Sequence, residues 1–380
     1  MKRQRMIDLE TPVLILDEEK MDQNIERMRS QLDRMNVSFR PHVKTSKCIE
    51  VARRMMTDSE GPITVSTLRE ADYFATHGVN DILYAVGIAP GKLDHVAALR
   101  QKGINLSIVL DNIEIARLIT DGIARKKWQN FDIFIEIDSD GHRSGIHPHS
   151  PLLTEIGLLL QNAGINVKGV MTHAGASYHC SSIEEIQDLA EQERRAVVVA
   201  AERLRNAGIP CPVVSVGSTP TALYARHLEG VTEVRAGVFV FFDLVMAGLK
   251  VCRIDNIALS VLATVIGHQK EKGWIIIDAG WMAMSRDRGT ARQSIDQGYG
   301  MVCDLDGCPI EDLILIDANQ EHGIVAHRSG NSSMMPKWSL GTMVRILPNH
   351  ACATAAQYAE YKVIDRTHDI VDTWKRFNGW

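Results

Sequence analysis

The sequence predicts an α/β protein in two parts, a (β/α)8 barrel followed by a C-terminal all-β domain. Three observations predict it. Eight short apolar runs alternate with helical patterns between residues 37 and about 245. These runs are mostly continuous rather than strictly alternating, as in strands covered on both faces. Beyond about residue 250, strand-like runs follow one another with no long helical pattern between them. A chain of 380 residues also exceeds what one compact core usually holds, so two domains are expected.

In chain order, Thr11-Pro12-Val13-Leu14-Ile15-Leu16 reads as a strand. The barrel has eight strands without it, so it is expected to pair with the β domain. The barrel runs fall at 37–39, 63–65, 82–84, 106–110, 131–137, 167–171, 212–216 and 232–234. Thr67-Leu68-Arg69-Glu70 and Ser182-Ile183-Glu184-Glu185 fit capping boxes, in which a hydroxyl and a carboxylate satisfy the first orphan N–H groups of a helix. The longest helix is predicted over about 182–205 and is stopped by Gly208-Ile209-Pro210. The β-domain runs are 257–267, 274–278, 313–316, 323–326, 343–347 and 361–364, separated by turn signals such as Asp304-Leu305-Asp306-Gly307 and Ser329-Gly330-Asn331. The expected division is 1–20 for the N-terminal strand that joins the β domain, 21–248 for the barrel and 249–380 for the β domain with its metal site.

A net charge of −5 gives no nucleic-acid footprint and no polybasic membrane arm. The basic start Met1-Lys2-Arg3-Gln4-Arg5 precedes Asp8 and Glu10, which break the apolar stretch a secretory signal would need. No apolar run approaches a membrane span. The seven scattered cysteines form no Cys-x-x-Cys pair and fit a reducing compartment, so a cytoplasmic location is expected.

Catalytic groups of such a barrel sit at the C-terminal ends of its strands. Lys44, in Arg40-Pro41-His42-Val43-Lys44-Thr45-Ser46-Lys47, follows the first predicted strand. A lysine walled off from water has a lowered pKa, and its neutral amine can form a Schiff base with an aldehyde cofactor. The competing reading is an ordinary solvated lysine. Gly141-His142-Arg143-Ser144-Gly145 and Thr172-His173-Ala174-Gly175-Ala176-Ser177-Tyr178 follow later strands. Gly217-Ser218-Thr219-Pro220-Thr221 and Arg235-Ala236-Gly237-Val238 follow the seventh and eighth. Small residues with backbone N–H groups and hydroxyls there make a phosphate cradle. A single glycine after a strand is ordinarily just a turn; two such segments in the expected places favour a phosphate-bearing ligand. Motifs for ATP or dinucleotides are absent. The run Glu136, Asp138, Asp140 fails as a calcium loop, because His149 stands where the twelfth-position Glu is needed. Its carboxylates are expected to orient Arg143 or cap the next helix.

Leu347-Pro348-Asn349-His350-Ala351-Cys352 carries the second feature. On an extended chain, residues i and i+2 point the same way, about 6–7 Å apart, so His350 and Cys352 can meet one ion. Imidazole plus thiolate favours zinc or a related transition ion over magnesium. Two protein ligands leave positions for water and substrate. The competing reading is a chance His-x-Cys with a buried thiol. Asn319-Gln320-Glu321-His322-Gly323 is a second polar cluster, either a source of a further ligand or a polar turn.

These residues resemble the fold-type III pyridoxal-phosphate enzymes, and within them the D-serine dehydratase and D-threonine aldolase branch. The resemblance covers essentially the whole chain and is most specific at 214–221, 231–246, 278–293 and 347–353. It implies an alanine-racemase-like barrel holding pyridoxal 5'-phosphate, a β domain completing the site, and a homodimer. It implies that Lys44 is the Schiff-base lysine, that Tyr178, Thr219, Gly237 and Val238 bind the phosphate, and that Arg143 lies at the cofactor ring. It implies that His350 and Cys352 hold a divalent metal: zinc, manganese, cobalt or nickel ahead of magnesium. The aldolases of this branch tend to have His-x-Asp at that place, so Cys352 points to dehydration.

The implied reaction takes a D-3-hydroxy amino acid. Lys44 removes the Cα proton while the metal, as a Lewis acid, draws off the β-hydroxyl. 3-Hydroxyaspartate would give oxaloacetate and ammonia; D-serine would give pyruvate and ammonia. The alternative is a metal-activated D-3-hydroxy amino acid aldolase giving glycine and an aldehyde. A racemase leaves His350 and Cys352 without a role. A non-catalytic carrier would lack the β domain. A metallohydrolase built on His42, His142, His173 and His350 leaves Lys44 unexplained. For hydroxyaspartate, Arg286 or Arg288 could meet the second carboxylate; an ordinary solvated or interface loop is the competing reading.

Overall fold

The structure is a computed structural model that describes residues 4–128 and 131–380. Met1, Lys2 and Arg3, the start of the basic run, lie outside the described residues. The chain divides into two compact units. One comprises Met1–Glu26 with Val238–Asn378, and the other Arg27–Gly237 with Gly379–Trp380.

The second of these units is the barrel. Its eight-stranded sheet runs in the order Ser38–Phe39, Glu233–Val234, Val213–Val216, Asn166–Met171, Asp132–Glu136, Asn105–Leu110, Asp81–Gly87 and Ile63–Val65, every pairing parallel. A parallel bridge between His42 and Thr64 joins the two end strands. Thr64 N donates to Pro41 O at 2.8 Å and Val43 N to Thr64 O at 2.9 Å across that closure. The strands are apolar because both faces are covered: Leu83, Val109, Phe134 and Met171, from four adjacent strands, form one buried cluster.

The intervening helices start where short polar side chains satisfy their first N–H groups. Thr67, Asn112, Ser150 and Ser182 each accept from a backbone N–H of the first turn. Glu70 and Glu185 reach back as expected, but one residue further than a capping box requires, to Ser66 N at 2.8 Å and Ser181 N at 2.7 Å. The helix Ile183–Asn206 buries Ile186, Ala190, Glu193, Ala196, Val197, Ala200, Ala201 and Leu204 on one stripe. Glu193 is the charged member of that stripe. Arg40 is buried as well and is neutralised by two strands, with Nε 2.7 Å from Glu233 and Nη1 2.8 Å from Asp81.

The other unit is built on a ten-stranded sheet. Leu259–Gln269, Trp274–Ile277, Gly323–His327, Pro309–Ala318, Gly300–Cys303 and Met343–Pro348 pair in that order, and the last returns to pair with the first. That return closes a small antiparallel barrel. Val13–Asp17 pairs antiparallel with Leu259–Gln269 and parallel with Glu360–Ile364. Asp369–Lys375 and Gln4–Arg5 extend the sheet outward. Helices here are short, including Leu244–Gly248, Trp281–Met284 and Ala351–Ala355.

Candidate active site

In the barrel unit, the sequence-predicted residues lie in loops after the C-terminal ends of the strands. Lys44 sits in the turn 43–46, just past the His42–Thr64 bridge. It is exposed in this chain. The residues flanking Lys44 therefore do not by themselves build the walled pocket expected from the sequence. Two buried polar atoms near this turn lack a hydrogen-bond partner among the described residues, Thr64 Oγ1 and Glu70 Oε1. Glu70 Oε1 lies 3.4 Å from Lys47 Nζ, and burial raises its pKa despite the nearby lysine charges.

His173 lies close enough to Lys44 and Arg143 to feel both charges. Burial first, and those charges second, push its pKa down to about 3. Its Nδ1 is 2.6 Å from the Gly217 carbonyl. A carbonyl only accepts, so Nδ1 carries the proton and Nε2 keeps its lone pair. Tyr178, in the short helix Gly175–His179, has its ring 6.2 Å from that of His173. Arg143 is exposed, and its charge partly offsets the burial that raises the pKa of Glu136. The acidic run fastens the Arg143 loop and does not cap the following helix, whose cap is Ser150. Asp138 accepts from Gly141 N at 2.7 Å, and Asp140 accepts from Ala176 N at 2.9 Å.

The predicted phosphate cradle differs from expectation at Gly217. Its N–H is not free: it donates to Glu193 Oε1 at 3.0 Å, and Ala174 N donates to the same oxygen at 3.1 Å. Glycine is required there by close approach, since a Cβ would lie 1.8 Å from Arg235 O. Ser218 caps the helix Thr219–Tyr224, and Thr219 is buried at its first position. Gly237 ends the barrel unit, and a Cβ there would lie 2.8 Å from His42 O. The N–H groups of Gly237 and of Val238, the next residue along the chain, are buried and find no acceptor among the described residues. Buried donors in that state suit an anion, so these residues fit a phosphate group.

The metal pair belongs to the β unit. Its geometry corrects the extended-chain expectation. Met343–Pro348 ends before the pair, His350 is the N-cap of Ala351–Ala355, and Cys352 lies in the first turn of that helix. The two side chains still meet, because the cap residue is extended while the next turn folds back: the Cys352 side chain is hydrogen-bonded to the His350 imidazole. Two ligands of one tetrahedral ion lie about 3.5 Å apart, which is the reach of such a bond.

His350 Nδ1 is 2.7 Å from Asp287 Oδ2. That bond holds the Asp287 carboxyl below its usual range. Burial lowers the imidazole pKa, but the Cys352 thiolate and Asp287 outweigh it, so the pKa stands well above the ordinary value. Around the pair, Asp243 accepts from Ala351 N at 3.0 Å, and Asn349 Nδ2 donates to Gly298 O at 2.7 Å and Asp287 O at 3.1 Å. Among the described residues no group of three or more His, Cys, Asp or Glu side chains is arranged to hold a metal. His350 and Cys352 could supply only two protein ligands, leaving positions for other donors, and an imidazole with a thiolate is a donor set that fits a divalent ion. The 319–323 cluster is a turn whose carbonyls accept from Trp281 N and Met282 N, with Glu321 bonded to Gln320.

Sequence reasoning missed Asp287, Asp243 and Glu193. Glu193 had a visible signal, a charge on the apolar stripe of its helix. Asp287 had none.

Residues 16–245 match the family of the alanine racemase N-terminal domain, and residues 258–364 match the putative serine dehydratase domain. The chain belongs to this alanine-racemase-like family of barrel enzymes carrying a serine dehydratase domain. It is 52% identical over 378 residues to D-threo-3-hydroxyaspartate dehydratase of Delftia sp. strain HT23, covering 99% of each chain. The solved structure of that enzyme superposes with a TM-score of 0.96 at 51% identity, covering 100% of both chains. A cysteine-to-alanine variant of the same enzyme, described as the metal-free form, also superposes with a TM-score of 0.96. An alanine racemase-like protein of Idiomarina loihiensis is 45% identical with a TM-score of 0.93, covering 99% of this chain and 100% of its own. D-threonine aldolase of Filomicrobium marinum, 22% identical, shares the fold with a TM-score of 0.83, covering 99% of this chain and 97% of its own. Among the described residues no helix is long and apolar enough to cross a membrane.

Proposed function

We propose that this protein is a pyridoxal-phosphate- and divalent-metal-dependent dehydratase, a carbon-oxygen lyase acting on D-3-hydroxy amino acids. Its best substrate is D-threo-3-hydroxyaspartate, converted to oxaloacetate and ammonia, with D-serine giving pyruvate and ammonia. The observation that carries this reading is the convergence of His350 and Cys352 with Asp287 behind the imidazole. The whole-length identity to a D-threo-3-hydroxyaspartate dehydratase supports it. The existence of a metal-free form of that relative's cysteine variant supports the metal.

When bound, the cofactor supplies an electron sink that acidifies the Cα proton, and the metal supplies a Lewis acid for the β-hydroxyl. The chain's own residues do the rest. Lys44 Nζ takes the Cα proton. Gly237 and Val238 would donate backbone N–H groups to the phosphate, and Thr219 and Tyr178 would supply hydroxyls. Arg143 would lie at the cofactor ring, as the family resemblance implies. His173, neutral and fixed in one tautomer, adds no positive charge beside Lys44. His350 Nε2 and Cys352 Sγ would hold the ion, and Asp287 fixes the ring that would present Nε2. The thiolate favours zinc, manganese, cobalt or nickel over magnesium. The reading extends to a homodimer in the cytoplasm, supported by the family resemblance and by seven cysteines of which none forms a disulfide.

Product identification tests it. D-threo-3-hydroxyaspartate should yield oxaloacetate and ammonia in equal amounts. Glycine with glyoxylate would make the protein an aldolase instead.

A further inference from the structure

We propose that Arg286 is the specificity-determining residue that binds the β-carboxylate of the substrate; this rests on the dehydratase reading above. In 3-hydroxyaspartate the hydroxyl and the second carboxylate are on the same carbon. A site that holds the hydroxyl at the His350–Cys352 ion must therefore meet an anionic carboxylate beside it. D-serine has a hydrogen at that place. The cation that tells the two apart has to stand next to the metal pair.

Three arginines lie in the segment that carries Asp287. Arg288 is already committed: its Nη2 is 2.8 Å from Asp296 Oδ2, and its guanidinium lies 4.9 Å from the centre of the Tyr299 ring. Arg286 and Arg292 are both exposed, and Arg292 makes no hydrogen bond or ion pair among the described residues. Arg286 is held but not neutralised. Its guanidinium stacks 5.0 Å from the centre of the Trp281 ring, and it makes no hydrogen bond or ion pair among the described residues. A guanidinium held over a ring face keeps N–H donors for a carboxylate, the fork that such an anion accepts.

The backbone sets Arg286 directly beside the residue that bonds His350. Ser285 has φ 76° and ψ 167°, a region that residues with a side chain rarely adopt. Ser285 N closes the short helix by donating to Trp281 O at 2.8 Å, and its Oγ accepts from Asp287 N at 3.2 Å. The chain therefore turns sharply at Ser285. The next residue is laid on Trp281, and the one after reaches His350 at 2.7 Å. Consecutive Cα atoms are about 3.8 Å apart, so a long arginine side chain at 286 works within reach of the group that Asp287 orients. Strained backbone that over-determines two neighbouring side chains is expected where both serve a site.

The test uses the holoenzyme with Arg286→Ala, Arg286→Lys and, as a control, Arg292→Ala. Arg286→Ala should lower kcat/KM for D-threo-3-hydroxyaspartate by about 10- to 100-fold, as loss of a charge-assisted bond does, and change that for D-serine by less than about threefold. Inhibition by D-aspartate, which keeps the β-carboxylate and lacks the hydroxyl, should weaken in parallel, while inhibition by D-alanine stays unchanged. Arg286→Lys should fall between wild type and Arg286→Ala, and Arg292→Ala should behave as wild type. Equal losses on both substrates, no loss on either, or an Arg292→Ala effect as large would overturn the assignment while leaving the dehydratase reading intact. If the wild-type enzyme releases no oxaloacetate from 3-hydroxyaspartate, the dehydratase reading fails and the assignment falls with it.

Discussion

His350 Nδ1 donates a 2.7 Å hydrogen bond to Oδ2 of Asp287, across 63 residues of sequence. The direction is set by charge: the bond holds the Asp287 carboxyl below its usual range, so the carboxylate accepts and the ring nitrogen donates. Nδ1 thereby keeps its proton, and Nε2 is the nitrogen whose proton a metal would displace.

Asp287→Asn should leave the fold intact, because the side chain is partly exposed, yet weaken metal binding by about 10- to 100-fold. Titration of the metal-stripped enzyme with zinc, followed by calorimetry, reads this. The bound cofactor should be unaffected.

Cys352→Asp replaces a soft ligand with a hard one in the first turn of the same helix. The preference of the site should shift from zinc toward manganese. Competition between the two ions for the stripped variant and for wild type measures the shift.

Glu193→Ala should destabilise the barrel. It leaves the N–H groups of Ala174 and Gly217 without their acceptor, and each buried orphan costs about 1–3 kcal/mol. Thermal denaturation should show the loss, and titration with pyridoxal phosphate should show weaker binding, since the Gly217 segment is no longer tied down. Glu193→Gln keeps an amide oxygen for both donors and should recover most of each.

Much of this was readable in the sequence. All eight barrel strands lie within three residues of the expected runs, because each run is short, apolar and bounded by helix signals. Gly300–Cys303 and Asp369–Lys375 were not legible: the first opens on glycine, and the second carries two aspartates and a lysine in seven residues. Lys44, His350 and Cys352 were visible as residue types in unusual company. Their surroundings were not. The meeting of His350 with Cys352 depends on a helix that begins between them, and Asp287 reaches them only through tertiary structure. The Gly217 amide illustrates the same limit, since its partner Glu193 comes from the preceding helix.

His173 sets an acid limit on stability. Its pKa of about 3 in the fold lies below the ordinary value of 6.5, so the unfolded chain binds more protons between those values. Its contribution is fully present above about pH 6.5 and is lost as pH falls toward 3. His42, also pushed well below its usual value by burial, acts in the same direction. Denaturant unfolding of His173→Asn from pH 7 to pH 4 should show a shallower decline than wild type. Parallel declines would mean that His173 does not titrate in this way.

Lys44→Ala should abolish turnover while the chain still binds pyridoxal phosphate through its other contacts, with loss of the visible absorbance that a covalently linked cofactor gives. Retained activity would remove Lys44 from the chemistry.

The central claim is that the His350–Cys352 ion, with the cofactor, removes the β-hydroxyl. The most direct measurement is turnover of D-threo-3-hydroxyaspartate by cofactor-loaded enzyme before and after chelator treatment, following oxaloacetate and ammonia. The account predicts that both products disappear together on metal removal, that the cofactor stays bound, and that added zinc or manganese restores them. Undiminished release of oxaloacetate and ammonia from metal-free enzyme would contradict it.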